Sequence, residues 1–409
     1  MNLLIIILFL FIIDLYFYLG TISIVKKFFN HSIYMILYWT LSILIYILVI
    51  YVSNLYNDTN ANLRFNNSIF YTSIFFIFFI SKFIGSLPLI FDDILRIFRI
   101  IGTFFNDTSV HDVKRLDFLK KSALLFSGAL LSTLFIGMKW GRYNFKKNYH
   151  DIFMRDWPLE MNNYKIIHIS DLHLGSFNDV EKLEEVIEMI NSEHADLVVF
   201  TGDLVNNYYN EAIPYIDVLK KIKSKDGKLS VLGNHDYGDY AIRNRNSNEW
   251  KNNFNNLLNL QKEAGFDLLL NDSRLISTKQ AKFNIVGVEN WGAGRFNKDG
   301  DLNSAMEGVD DSIPTILLSH DPSHWREVVL KSDYKIDLQL SGHTHGMQFG
   351  VEIPGFKWSP AKYRYKEWAG LYETEGKQIY VNRGLGHLGY AGRVGIMPDI
   401  SVLNIISQI

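Results

Sequence analysis

Apolar residues follow two regimes along this chain. Residues 2–25 form an almost unbroken apolar stretch whose one charge is Asp14, and residues 33–53 carry no charge at all. Residues 68–91 are interrupted only by Lys82, and residues 122–138 make a shorter fourth run. About 20 apolar residues suffice for a helix to cross the hydrocarbon of a bilayer, so the pattern predicts an all-α bundle of about four transmembrane helices over residues 1–138. Ahead of the fourth run, Ile94, Phe98, Ile101 and Phe105 recur at helical spacing against Asp92, Asp93, Arg96 and Arg99, the pattern of a helix lying in the membrane interface or of an amphipathic loop helix. After an expected linker at 139–163 the period changes. Short β-rich runs at 165–170, 196–201, 229–233, 267–270, 283–288, 315–319, 336–341, 378–382 and 400–405 are joined by helical stretches at 181–191 and 215–222. Strands interleaved with helices imply a layered α/β domain over 164–409, with the Asn-rich patch 244–256 as a surface loop.

Charge sharpens this division. Only 17 Lys, Arg, Asp and Glu residues fall in 1–138, and the first Glu is Glu160. The formal net charge of −2, with no sustained Lys/Arg run, excludes a phosphate-tracking nucleic-acid binder. The absence of Cys excludes disulfide scaffolds, thiolate zinc sites, iron–sulfur clusters and cysteine nucleophiles. Orientation follows the basic residues of the short loops. An outside N-terminus places Lys26, Lys27, Arg96, Arg99, Lys114, Arg115, Lys120 and Lys121 inside; the reverse places Arg64, Lys139, Arg142, Lys146 and Lys147 there. The first arrangement retains more positive charge, and it puts the soluble domain on the extracytoplasmic side of the inner (plasma) membrane.

Chemistry-bearing residues gather at the ends of the expected strands. The first runs into Asp171-Leu172-His173, the second into Gly202-Asp203, and the third into Asn234-His235-Asp236. Strand 315–319 delivers His320, and strand 336–341 delivers Gly342-His343-Thr344-His345. Ligands collect at the C-terminal ends of strands in α/β sheets, where loops converge on a rigid scaffold. Oxygen and imidazole donors without thiolate suit manganese, iron or zinc in an open site. Period-two spacing in Asp171-Leu172-His173 and His343-Thr344-His345 would send each pair to one side of an extended segment.

Taken in this order, Asp171-x-His173, Gly202-Asp203, Gly233-Asn234-His235-Asp236, His320 and Gly342-His343-x-His345 resemble the motifs of the calcineurin-like metallophosphoesterases. The resemblance implies a four-layer αββα sandwich around a centre of two divalent metal ions. It also implies that Asp171, His173, Asp203 and His345 hold one ion, and Asp203, Asn234, His320 and His343 the other, with Asp203 bridging. His235 would be a catalytic group outside the ligand set, with Asp236 orienting its other ring nitrogen. The segments Gly342-His343-Thr344-His345-Gly346-Met347-Gln348 and Asn382-Arg383-Gly384-Leu385-Gly386, with Arg393 and Pro398-Asp399-Ile400, are similar to a bacterial membrane-associated branch. That branch includes UDP-2,3-diacylglucosamine pyrophosphatases, enzymes of lipid A biosynthesis.

Outside the motifs, His168, His194 and His324 read as structural or surface residues, whereas His387 and Arg393, in and beside a Gly-rich loop, are candidates for binding a phosphate-bearing head group. Aromatic and basic residues alternate from Phe356 to Tyr372, which suits either a small aromatic core or an amphiphilic substrate. The resulting expectation is a membrane-anchored, binuclear metal-dependent phosphohydrolase acting on a phosphoester or pyrophosphate bond, with a lipid-linked substrate as first choice. The alternatives are a phosphatase of soluble metabolites that is merely anchored, and a non-catalytic sensor of a phospho-ligand.

Overall fold

A computed structural model describes residues 3–57, 65–103, 113–279 and 281–408. Arg64 and Phe105, used above for orientation and for the interfacial stretch, lie outside the described residues. The chain divides after Lys139 into two units.

The described residues of the first unit form four helices: α1 (Leu3–Val25), α2 (His31–Asn57), α3 (Phe65–Thr103) and α4 (Val113–Lys139). Each is long and apolar enough to cross a membrane, because an uninterrupted apolar sequence in lipid satisfies its backbone groups only as a helix. The stretch that begins at Phe91 is not a separate interfacial helix: α3 continues for 39 residues through Pro88. The two charges that break the apolar runs belong together. Lys82 Nζ lies 2.7 Å from Asp14 Oδ1 and 3.0 Å from Ser42 Oγ, and the Tyr46 hydroxyl donates to the second Asp14 oxygen.

Two mixed six-stranded sheets build the second unit. The first has the order β1-β14-β2-β3-β4-β5, made of Lys146–Met154, Asp399–Ser407, Tyr164–Ile169, Leu197–Phe200, Lys228–Ser230 and Asp267–Leu268. The second has the order β12-β13-β9-β8-β7-β6, made of Gly370–Thr374, Lys377–Val381, Leu338–Ser341, Thr315–Leu318, Lys282–Gly287 and Asp272–Ser277. A hairpin, β10 (Val351–Ile353) and β11 (Phe356–Trp358), stands apart. Ile166, Leu197, Val199 and Leu229 from the first sheet pack with Ile285, Ile316, Leu338 and Leu340 from the second, forming the inner layer. The outer face of the first sheet is covered by α5 (Val180–Asn191), the short α6 (Ile216–Leu219) and α7 (Asn248–Glu263). On the second, Val286, Leu317 and Ile379 pack with Trp325 and Val329. Helical and loop layers on both sheets make the expected αββα sandwich.

Strands β6, β10, β11 and β12 have no counterpart in the sequence reading, and two further stretches of this unit differ from it. Residues 146–154, expected as linker, form edge strand β1, parallel to β14 from Lys146↔Asp399 to Met154↔Ser407. Its sequence is too polar to announce a strand because only Ile152 and Met154 are buried there. Much of the Asn-rich patch is helical: the Ser247 side chain accepts from Trp250 N–H at the start of α7, and Trp250, Phe254 and Leu257 follow at helical spacing.

Candidate metal centre

Five loops leave strands that run parallel to their neighbours, which brings their C-terminal ends to one edge of the sandwich. Asp171, His173, Asp203, His343 and His345 all adopt left-handed backbone conformations, with φ of 51°, 45°, 59°, 71° and 49°. Such conformations cost about 1–3 kcal/mol each and persist only where the surroundings over-determine them. They replace the extended geometry inferred from period-two spacing: the pairs converge because the chain turns sharply at each of these residues. Gly233 lets the third loop approach; a Cβ there would stand 2.2 Å from Asp203 Oδ1.

Two groups of donors result. The ligand-capable atoms of Asp171, His173 and His345 lie within 4.8 Å of one another, as do those of Asp203, His320 and His343. In the first group His173 Nε2 is 3.0 Å from His345 Nε2, and His345 Nε2 is 3.2 Å from Asp171 Oδ1. In the second, His343 Nδ1 is 3.2 Å from His320 Nε2. Asp203 Oδ2 joins the two, 3.5 Å from His173 Nε2 and 3.2 Å from His320 Nε2. Burial alone would raise the carboxyls of Asp171 and Asp203, but the imidazoles, His345 first for Asp171 and His320 first for Asp203, outweigh it and hold both below the usual range. Burial pushes His173 down to about 3, leaving a neutral imidazole with a free lone pair.

Orphaned oxygens test whether cations fit here. Among the described residues Asn234 Oδ1 is a buried acceptor with no hydrogen-bond partner, although the Asn234 amide nitrogen does donate to the Tyr240 hydroxyl, and Asp171 Oδ1 faces only the imidazoles of His345 and His173, at 3.2 and 4.0 Å. A buried acceptor without a donor is costly, and a divalent cation supplies what is missing. The oxygen and imidazole donor set, free of thiolate, agrees with that.

The remaining ring nitrogens are held from outside. His173 Nδ1 meets Asn206 Oδ1 at 3.0 Å, His320 Nδ1 meets the Thr201 carbonyl at 2.7 Å, and His343 Nε2 meets the Tyr365 hydroxyl at 2.8 Å. His345 differs, since the neighbour of its Nδ1 is Arg393 Nη2 at 3.2 Å, a donor already engaged by backbone carbonyls. His235 Nδ1 meets the Asn206 carbonyl at 2.7 Å, and its backbone N–H donates to Asp203 Oδ1.

Two expected roles change. Asp236 does not orient His235. Its carboxylate accepts the backbone N–H groups of Asp203, Leu204 and Gly233, and so shapes the loop that presents Asp203; burial, then the Asp203 charge, pushes its carboxyl upward. Arg393 is not free for a head group, because it is fully buried and its guanidinium is occupied by the carbonyls of Arg383, Gly384 and Gly386. His387 is buried beside the centre with Nδ1 unpartnered. His168 and His324 are buried and pushed down to about 4, as suits neutral structural imidazoles, while His194 is exposed. The aromatic stretch splits: Trp368 packs with Ala361, Ala369 and Ile396, while Phe356 and Tyr363 are exposed.

Asn206 and Tyr365 escaped the sequence reading, since an Asn six residues after a buried strand and a Tyr in an aromatic run carry no distinctive spacing. Asn206 is itself anchored by Glu211, whose carboxylate accepts the backbone N–H groups of Asn206, Asn207 and Tyr208. Burial outweighs these donors and raises Glu211 to about 7.

Comparison with known proteins agrees with this geometry. The profile of the calcineurin-like phosphoesterase family matches residues 164–347, and that of a probable calcineurin-like phosphoesterase transmembrane domain matches residues 1–142. An uncharacterized metallophosphoesterase of Bacillus subtilis, YkuE, is 33% identical over 255 residues, covering 61% of this chain and 82% of its own. The phosphodiesterase YaeI of Escherichia coli is 27% identical, covering 59% and 82%. The UDP-2,3-diacylglucosamine pyrophosphatase LpxG of Chlamydia trachomatis is 28% identical, covering 55% and 79%. With its four spanning helices, its two-sheet sandwich and this donor set, the chain belongs to the calcineurin-like metallophosphoesterases, as an integral membrane member.

Proposed function

We propose that this protein hydrolyses a phosphoester or pyrophosphate bond at a centre of two divalent ions. Asp171, His173, Asp203 and His345 would hold one ion, and Asp203, Asn234, His320 and His343 the other. The observation that carries this reading is Asp203 Oδ2, which stands within 3.5 Å of a donor nitrogen from each group. When bound, a pair of divalent cations activates water and polarises phosphate oxygens; manganese, iron and zinc all suit these donors.

The chain's own groups do the rest. Asp171 and Asp203, held ionised, supply anionic oxygens that relieve repulsion between neighbouring cations. His235, with Nδ1 fixed on the Asn206 carbonyl, keeps Nε2 for the substrate. From there it steadies phosphate charge or passes a proton to the leaving oxygen. Tyr365, Asn206 and the Thr201 carbonyl keep three imidazoles aimed inward.

A lipid-linked phosphoester or pyrophosphate is the substrate class we favour, supported by the four spanning helices and by the printed activity of LpxG. We place the catalytic domain outside the cytoplasm on the excess of basic residues in the loops opposite to it. The test is a panel assay of the purified full chain with manganese against a bis-aryl phosphate, an aryl phosphate and a lipid pyrophosphate. Metal-dependent turnover, greatest on the lipid pyrophosphate, is expected; no turnover on any of the three refutes the reading.

A further inference from the structure

Beside the metal centre lies a set of buried polar atoms that nothing among the described residues satisfies. Arg142 sits on the short turn Gly141–Tyr143. Its Nε and Nη1 are buried without a hydrogen-bond partner, and its guanidinium lies 4.8 Å from the centre of the Tyr143 ring. The Tyr143 hydroxyl is likewise buried and unpartnered, as is Nδ1 of His387, a residue only 1% exposed. Close backbone packing ties these groups to the metal ligands. A Cβ on Gly141 would stand 2.0 Å from the Arg393 carbonyl oxygen, and one on Gly386 would stand 2.1 Å from the Leu172 carbonyl oxygen. The turn bearing Arg142 therefore rests on Arg393, which touches His345, and the loop bearing His387 rests on the segment between Asp171 and His173.

The neighbours of His387 are cationic or ionisable. Burial first, and then Arg142, Arg393, His173 and His345, oppose its protonation. Of the two arginines, Arg393 has spent its donors on carbonyls, whereas Arg142 has not. No carboxylate hydrogen-bonds or ion-pairs with Arg142 among the described residues. A guanidinium with buried free donors, 4.8 Å from a phenol ring and close enough to a buried imidazole to act on it electrostatically, is a receptor for an oxyanion, because charge-assisted N–H···O⁻ bonds are the strongest that such donors form.

We propose that Arg142, His387 and Tyr143 form an anion subsite that takes a second phosphoryl group of the substrate, one that is not cleaved, while the scissile phosphorus sits at the metal centre. This rests on the reading of that centre given above, and it narrows the substrate class to molecules carrying two neighbouring phosphoryl groups. Arg142 becomes a specificity-determining residue supplied by the turn that follows the last spanning helix in sequence.

Titration calorimetry on the manganese-loaded full chain in detergent, with unbound metal removed, tests the subsite through two non-hydrolysable probes. Methylphosphonate reports the metal centre alone, and methylenediphosphonate reports the centre plus the subsite. The wild type is expected to prefer the diphosphonate by about 10- to 100-fold, the worth of a charge-assisted contact. In Arg142→Ala that preference should shrink to about threefold or less, with Arg142→Lys retaining part of it. If Arg142→Ala fails to fold, Arg142→Gln, which keeps the length but not the charge, carries the same comparison against Arg142→Lys. A wild type without the preference, or a preference that survives removal of the Arg142 charge, overturns the subsite. A wild type that binds neither probe overturns the metal-centre reading itself, and the subsite with it.

Discussion

In the spanning unit, Asp14 and Lys82 are buried against each other at 2.7 Å, Tyr46 and Ser42 complete their hydrogen bonding, and Lys82 lies 4.6 Å from the centre of the Tyr38 ring. In the catalytic unit, Asp171 and Asn234 are buried at least as deeply, yet Asn234 Oδ1 meets no donor among the described residues and Asp171 Oδ1 faces only imidazoles that could themselves hold an ion. The first cluster is closed and the second is open. A closed cluster joins α1, α2 and α3 and leaves nothing over for a ligand, which is the behaviour of polar groups that fasten helices in lipid. An open cluster stores an unmet demand for positive charge, which is what a cation site requires before its ion arrives.

Emptying the open cluster should have the largest consequence. Asp203→Ala removes the oxygen shared by both donor groups, so metal content measured by plasma mass spectrometry should collapse and turnover should fall to that of chelator-treated wild type. His235→Ala should keep its metal and lose about 10²–10⁴ in turnover; metal loss equal to that of Asp203→Ala would mean that His235 is a ligand. Asn206→Ala comes next, because it releases the far side of His173, and a loss of about 10–100-fold in affinity or activity is expected for such an outer partner.

Breaking the closed cluster should leave the chemistry alone and weaken the fold. Lys82→Met strands the Asp14 carboxylate, at a cost of about 3–5 kcal/mol by the measure of buried pairs, and the double change with Asp14→Leu should recover most of it. Unfolding in detergent reads both. A double variant as unstable as the single one would show that the pair does more than fasten. The smallest effect concerns Glu211, whose carboxyl is raised to about 7 in the folded chain. A group raised in this way favours the folded state fully below its ordinary value near 4.3, and that advantage is lost as pH rises through about 7. Glu211→Gln should therefore flatten the decline of Tm between about pH 5 and 7; an unchanged slope would contradict the assignment.

The two clusters were not equally legible in the sequence. The metal motifs stand out because β2, β3, β8 and β9 are buried along nearly their whole length, so their apolar runs end abruptly in Asp and His. Asp14 and Lys82 stand out as lone charges in apolar helices, but their pairing depends on how three helices pack, which spacing does not reveal. Asp236 and Arg393 could be located and not interpreted: a carboxylate spent on backbone N–H groups looks the same in sequence as one aimed at an imidazole. Edge strand β1 was hidden because an edge strand buries few of its side chains, here only Ile152 and Met154.

Electron paramagnetic resonance of the full chain titrated with manganese tests the central claim most directly. Two manganese ions sharing the Asp203 carboxylate are expected to give an exchange-coupled signal that saturates at two ions per chain, and Asp203→Ala should abolish it. Saturation at one ion per chain, with only the six-line signal of isolated manganese, would contradict a binuclear centre.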